Sequence, residues 1–326
     1  MNSVAGHSED KLRELFSGTA ARKGMTSAAV EKDFWVCWVL LRLFEHPALT
    51  SQILFKGGTS LSKVFHLVER FSEDIDLILD WRLLTTTKPD ADRSRTQQDD
   101  FNEKIILKAN DYLREDLLPM VKQAVGAYCQ AGIDELDSAV IQIRYPGVFK
   151  DPYLRSDIRL EIGPLAGWVP YAEYSIVPYA AEVFPHLFSF AQCKVKAIKA
   201  ERTFWEKATI LHREAFRSEK SKPQTHYSRH YYDLARMSRS PVKCEALKDI
   251  ELLQMVVEFK RRFYPCGWAK YELAKPGSMR LMPPEHVEKV LRDDYEAMRI
   301  MVFGEYSSFD DILQELRSLE GEINSL

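Results

Sequence analysis

The segment "LFKGGTSLSKVFHLVERFSEDIDLIL", residues 54 to 79, constrains the fold of this chain more than any other. An apolar run ends in Gly57 and Gly58, a helix-like stretch opens on Thr59 and Ser60, and a second apolar run carries Asp74 and Asp76. Leu61, Val64, Phe65 and Val68 fall at helical spacing. "SQILFKGG" and "EDIDLIL" have strand character, so the order is strand, glycine turn, helix, strand. Paired glycines take backbone angles that other residues avoid and let a ligand approach the main chain. The N–H groups of a helix starting near Thr59 then favour an anion such as a triphosphate, with hydroxyl donors from Thr59 and Ser60. In a strand, Asp74 and Asp76 project from one face and Ile75 and Leu77 from the other. Two such close carboxylates resist joint ionisation unless a cation neutralises them. Hard oxygen ligands in a pair suit Mg²⁺. Taken separately, a Gly-Gly-Thr turn reads as a structural turn and a lone D-x-D as a solvated edge pair. Their succession is what favours a phosphate and metal site.

The rest of the chain allows about two domains in 326 residues, with 45% hydrophobic and 29% charged residues and a net charge of -3. That charge excludes a strongly basic protein but not a local basic face. Residues 194–222 hold nine Lys/Arg against four Asp/Glu, while residues 301–326 hold six acids against Arg317. The asymmetry is compatible with a polyanion partner or with two solvated helix faces. Five scattered cysteines without metal-ligand spacing read as reduced thiols of a cytoplasmic protein. The start has no apolar signal core, and "DFWVCWVLLRLF" is too short for a bilayer span and reads as a buried helix.

"MTSAAVEKDFWVCWVLLRLFEH" predicts a capped apolar helix, residues 85–100 a polar loop, and residues 102–131 one long helix. "SAVIQIRYP" and "LRSDIRLEIGP" predict strands, and residues 164–193, rich in Pro and aromatics, carry no clear period. From Lys199 onward nearly all of the pattern is helical. The expected class is α/β (α+β): a mixed part over 1–200 and an all-helical part over 201–326.

"FKGGTSLSK" followed by "RFSEDIDLIL" resembles the nucleotidyltransferase superfamily of the polymerase-β-like fold, and more narrowly the AbiEii/AbiGii toxin family of bacterial toxin–antitoxin and phage-defence systems. "VEKDFWVCWVLLRL", "ERTFWEKATILHRE", "RHYYDLARM" and "LRDDYEAMRIMVFGE" follow in the family's order. The superfamily's Gly-Ser is Gly58-Thr59 here, and the gap to the aspartates is somewhat long, both of which occur in this toxin branch. The resemblance implies a small mixed sheet flanked by helices, a helical C-terminal domain completing the nucleotide site, NTP as substrate and two Mg²⁺ ions. It also implies a third carboxylate on a neighbouring strand. "SDIRLEIG" supplies Glu161, favoured because a carboxylate in an apolar strand is costly without a metal, with Asp157 as the fallback and an Arg159–Glu161 ion pair as the alternative. By resemblance Lys207 contacts the nucleotide's phosphates. Asp233 lies at the nucleotide-binding face, where it holds Lys207 or forms a helix–helix ion pair. Arg70 and Lys63 are lesser phosphate candidates. The implied activity is transfer of a nucleoside monophosphate to an acceptor such as a tRNA 3′ end. A protein or small-molecule acceptor, or a non-catalytic nucleotide-binding regulator, are the other readings. A separately encoded antitoxin is the implied partner, with residues 194–222, Arg229, Arg236 and Arg239 as candidate RNA contacts.

Overall fold

The computed structural model describes residues 1–152, 154–221 and 224–326. Lys222, the end of the basic stretch, lies outside the described residues. Two units divide the chain: Met1–Val64 with Phe71–Ile198, and Phe65–Arg70 with Lys199–Leu326.

Among the described residues the first unit is built on seven strands: β1 (Ile53–Lys56), β2 (Asp74–Leu79), β3 (Gln130–Ile133), β4 (Val140–Arg144), β5 (Asp157–Gly163), β6 (Tyr171–Ile176) and β7 (Cys193–Ile198). They form one mixed sheet in the order β3-β4-β5-β2-β1-β7-β6. β2 sits centrally, antiparallel to β1 and parallel to β5. Its alternation follows the pleat: Ile75 and Leu77 are buried, while Asp74 and Asp76 are half-buried on the other face. The unit's helices are α1 (Asn2–Ala5), α2 (Glu9–Lys23), α3 (Ser27–Glu45), α4 (Gly57–Lys63), α5 (Arg95–Tyr112), α6 (Leu118–Val125) and α7 (Tyr179–Val183).

α3 is the apolar helix predicted from the sequence. Thr26 caps it by accepting from Ala29 N–H. Phe34, Trp35, Trp38 and Leu40 are fully buried in the core that α3 shares with the sheet. Truncating either indole would cost roughly 3–5 kcal/mol. No helix among the described residues is long and apolar enough to cross a membrane.

Three expectations need correction. The helix after β1 ends at Lys63, so Val64, Phe65 and Val68 do not continue it. His66 takes a left-handed backbone (φ 53°), and Phe65–Arg70 belong to the second unit, where Glu69 and Arg70 find long-range partners. Those contacts override a periodicity that is apolar but local. The long helix begins earlier than predicted, at Arg95, because Ser94 and Gln97 form a capping box inside the presumed loop. It passes through a π turn at Leu113–Leu117 and stops at Val125, leaving Gln130–Ile133 to pair with β4. The unassigned stretch contains β6, the sheet's edge, whose outward positions Tyr171, Glu173 and Ser175 are exposed.

The second unit is helical: α8 (Ala200–Ala215), α9 (Ser228–Ser238), α10 (Pro241–Lys248), α11 (Ile250–Phe263), α12 (Glu285–Met298) and α13 (Phe309–Asn324). Phe204, Trp205, Tyr231, Tyr232, Tyr295 and Leu316 are fully buried within it. Asp294 accepts from the N–H groups of His226 and Ser228 and fixes the start of α9.

Candidate active site

In the first unit the site is assembled by the β1–α4–β2 connection. Gly57 has φ +79°, a conformation that disfavours any side chain. A Cβ placed on it would lie 1.8 Å from Asp76 Oδ2, so the close approach that requires glycine here is made by the aspartate's own carboxylate. Gly58 follows in α4 and is buried. Thr59 is buried and its hydroxyl donates to the main-chain carbonyl of Asp74, pinning α4 to β2. Ser60, fully buried, donates to the carbonyl of Gly57 at 2.8 Å. Both hydroxyl protons are thus committed to main-chain acceptors, and either would have to rotate to meet a phosphate.

Asp74 and Asp76 lie side by side on β2. Oδ1 of Asp74 is buried and has no hydrogen-bond partner among the described residues. Burial, the neighbouring Asp76 and then Glu73 push its carboxyl above the usual carboxylate range, against the opposing pull of Arg159 and Lys32. Lys32, buried on α3, donates to Glu73 Oε1 at 2.8 Å and to the carbonyl of Arg155 at 2.9 Å.

In the parallel β2–β5 pairing, Asp74 stands opposite Arg159 and Asp76 opposite Glu161. Glu161 is exposed, with 46% of its side chain accessible, so the expectation of a carboxylate in an apolar strand interior is corrected. Its apolar neighbours Leu160 and Ile162 point to the opposite face. Asp157 is the buried acid of this strand and accepts from Gln142 Nε2 at 2.8 Å, with Arg155 Nε at 3.4 Å. Arg159 forms long ion pairs with both acids, Nε lying 3.9 Å from Glu161 Oε1 and 3.9 Å from Asp74 Oδ1, while Nη1 donates to Asp134 at 2.7 Å.

No three His, Cys, Asp or Glu side chains among the described residues converge into a ready metal cage. What fits a hard cation is the donor chemistry: two adjacent carboxylates, one with a buried oxygen that accepts no hydrogen bond among the described residues, and a third in register across the strand pair.

Lys63 is turned inward, contrary to its expectation as a phosphate contact. It is buried, ion-paired with Asp33 at 2.7 Å, and its Nζ lies 3.7 Å from the centre of the Tyr179 ring. An ammonium in the interior is tolerated because a carboxylate and an aromatic face compensate it.

The second unit contains its own charged cluster. Asp233, fully buried on α9, accepts from Arg70 Nε at 2.6 Å and Nη2 at 2.8 Å. The same carboxylate pairs with Lys207 Nζ of α8 at 2.8 Å. Burial would raise the Asp233 carboxyl, but Arg70 and Lys207 hold it far below the usual range. Lys207 Nζ also meets His230 Nδ1 at 2.9 Å. Burial, then the adjacent Lys207 and Arg229, keep His230 well below its ordinary value and therefore neutral. Burial likewise lowers Lys207, against the pull of Asp233. Arg70 is thus a buried partner of Asp233, not an exposed phosphate contact. His230 was not singled out from the sequence, although its place one helical turn before Asp233 puts both on one face.

Among the described residues, several arginines of the basic stretch and its continuation are ion-paired. Arg202 pairs with Glu206, Arg213 and Arg217 with Glu214, Arg236 with Glu69 and Arg239 with Glu315. Lys194, Lys199, Lys220 and Arg229 remain exposed.

The central strand of a mixed sheet thus sets two aspartates against a glycine turn, with an acid in register on the neighbouring strand. The family profile described as "Nucleotidyl transferase AbiEii toxin, Type IV TA system" matches residues 38–315. The chain belongs to that family and is a nucleotidyltransferase toxin of a type IV toxin–antitoxin system, which implies a separate antitoxin. Among solved structures it is similar to MenT4, a nucleotidyltransferase toxin from Mycobacterium tuberculosis, with 15% identity, a TM-score of 0.45, and 95% of this chain and 98% of that one covered. It is also similar to JHP933 from Helicobacter pylori, with 15% identity, a TM-score of 0.37, and 92% and 98% covered. No curated protein matches.

Proposed function

We propose that this toxin transfers a nucleoside monophosphate from an NTP to a hydroxyl at an RNA 3′ end, such as that of a tRNA, in the cytoplasm and as part of phage defence. The acceptor oxygen forms a bond to the α-phosphorus, the bond to the β-phosphate bridge breaks, pyrophosphate leaves, and the hydroxyl proton passes to solvent. The observation that carries the reading is the unsatisfied buried oxygen of Asp74 beside Asp76, with Glu161 in register opposite.

Asp74, Asp76 and Glu161 are the residues that would hold two Mg²⁺ ions. Bound there, Mg²⁺ would lower the pKa of the acceptor hydroxyl and offset charge on the phosphates. Gly57 and Gly58 carry the main-chain N–H groups proposed to face phosphate, with Thr59 and Ser60 shaping the turn. In the second unit, Lys207 is the proposed phosphate contact. Lys207 shares the Asp233 carboxylate with Arg70 and stands beside neutral His230, so its ammonium is a hydrogen-bond donor suited to an anion. Asp233 fixes the direction of the Lys207 ammonium.

The RNA acceptor is supported by the exposed cations Lys194, Lys199, Lys220 and Arg229. The three of these in the second unit, Lys199, Lys220 and Arg229, if all contact a single strand, correspond to a log–log salt slope of about -2. The deciding test is incubation with each α-labelled NTP, Mg²⁺ and total bacterial RNA, beside Asp76→Ala. Label entering RNA with the wild type alone supports the proposal. Transfer retained by Asp76→Ala would sink the metal assignment, and label on protein or small molecules instead would sink the RNA acceptor.

A further inference from the structure

Arg159 occupies an unusual position. It stands opposite Asp74 on the neighbouring strand and two residues before Glu161, and its side chain is largely buried. A guanidinium at that place is a ready competitor for a cation, because its fork matches a carboxylate with two parallel hydrogen bonds. It does not make them: its ion pairs with Asp74 Oδ1 and Glu161 Oε1 are both long, 3.9 Å from Nε and beyond hydrogen-bond length. Its short contact is elsewhere, from Nη1 to Asp134 Oδ2 at 2.7 Å.

Asp134 is itself rigidly placed. It follows β3 at the turn into β4, where its Oδ1 accepts from the N–H groups of Leu136 at 2.9 Å and Asp137 at 3.2 Å. One carboxylate oxygen therefore closes the turn and the other anchors the arginine. These turn bonds, then Arg159, hold the Asp134 carboxyl below its usual range. The hairpin's geometry sets how far Arg159 can reach.

We propose that Asp134 is a positioning residue that holds Arg159 off Asp74 and Glu161, so that a divalent cation and not the guanidinium engages those carboxylates. This rests on the metal site proposed above. Loss of the Asp134 charge frees Arg159 to pair with Asp74 or Glu161, and a cation must then displace a hydrogen-bonded guanidinium. Arg159 is the element through which Asp134 acts, so removing Arg159 should make the identity of residue 134 irrelevant to cation binding.

The test uses the full chain and Mn²⁺ as the probe, with free Mn²⁺ followed by electron paramagnetic resonance and no nucleotide present. Wild type, Asp76→Asn, Asp134→Asn, Arg159→Gln and the Asp134→Asn/Arg159→Gln double variant are compared. Asparagine keeps the oxygen that closes the β3–β4 turn, and a thermal melt of each variant confirms folding. Asp134→Asn should weaken Mn²⁺ binding roughly tenfold, the scale at which residues behind metal ligands act. In the Arg159→Gln background the same change should have no effect, which a purely structural role of Asp134 would not produce. Unchanged affinity in Asp134→Asn, or an equal loss with and without Arg159, overturns the proposal. Asp76→Asn separates the two levels. If it leaves wild-type binding intact, the metal site itself is wrong. If it abolishes binding while Asp134→Asn does nothing, the role of Asp134 alone is wrong.

Discussion

Gly57 and Asp76 share one space: the carboxylate of Asp76 lies where a side chain on Gly57 would be, with only 1.8 Å between Oδ2 and a Cβ built there. The glycine turn and the D-x-D strand are therefore one mechanical unit, in which the turn sets the position of the acid. Gly57→Ala forces a left-handed alanine, costing about 1–2 kcal/mol in backbone strain, and must push Asp76 aside as well. The expected outcome is a folded but less stable protein whose nucleotide transfer falls as far as that of Asp76→Ala. Urea unfolding together with a labelled-NTP assay checks it. Near-normal transfer by Gly57→Ala would show that Asp76 need not stay where the structure has it.

Asp74 and Asp76 oppose each other when both are ionised, and Asp74 Oδ1 is buried without a hydrogen-bond partner among the described residues. Asp74→Asn removes that repulsion. The metal-free variant should melt no lower than the wild type, while transfer falls by at least roughly a hundredfold, the scale set by losing a preorganised electrostatic group. Such an exchange of stability against function is characteristic of active-site acids. Calorimetry in chelator, run beside the transfer assay, tests both halves. A clearly lower melting temperature with activity kept would mean that Asp74 is a structural acid.

Local periods made much of this site readable. The alternation of Asp74, Ile75, Asp76 and Leu77 defines a two-faced strand without reference to anything distant, and the structure keeps it. Glu161 shows the limit of the same reasoning. Apolar flanks at Leu160 and Ile162 suggested burial, yet at period two they describe the opposite face, and only the register with Asp76 reveals the acid's place. Register is a long-range property, as is the early end of α4. Arg70 leaves the helical pattern for Asp233, 163 residues away, and no window around residue 70 contains that partner. β6 was missed for a related reason. It is an edge strand with outward Tyr171, Glu173 and Ser175 exposed, so it lacks the apolar signature of the central strands.

Asp233 balances two buried cations, and removing either side should have unequal costs. Asp233→Asn leaves Arg70 and Lys207 buried without their carboxylate and should destabilise by about 3–5 kcal/mol. Lys207→Met leaves the Arg70–Asp233 pair whole, so it should cost less stability while transfer still falls. The pH dependence follows from the depressed Asp233 carboxyl. Its contribution is complete above the ordinary aspartate value of 3.8 and is lost only as pH falls below that value toward the folded-state one. The stability gap between wild type and Asp233→Asn should therefore be flat across neutral pH and narrow in strong acid. Urea unfolding at several pH values measures it, and a gap that closes already near neutrality would contradict the assignment.

Glu161 and Asp157 make opposite predictions because their surroundings differ. Glu161 is exposed and stands opposite Asp76, so Glu161→Gln should leave the unfolding midpoint almost unchanged while lowering transfer. Asp157 is buried and holds Gln142 and Arg155, so Asp157→Asn should cost about 1–3 kcal/mol through a disrupted buried hydrogen bond, with transfer per folded molecule largely kept. The two variants compared by denaturation and labelled-NTP transfer decide which acid serves the reaction. Should Asp157→Asn lose transfer and Glu161→Gln keep it, the third carboxylate is the buried one, and the register opposite Asp76 is incidental.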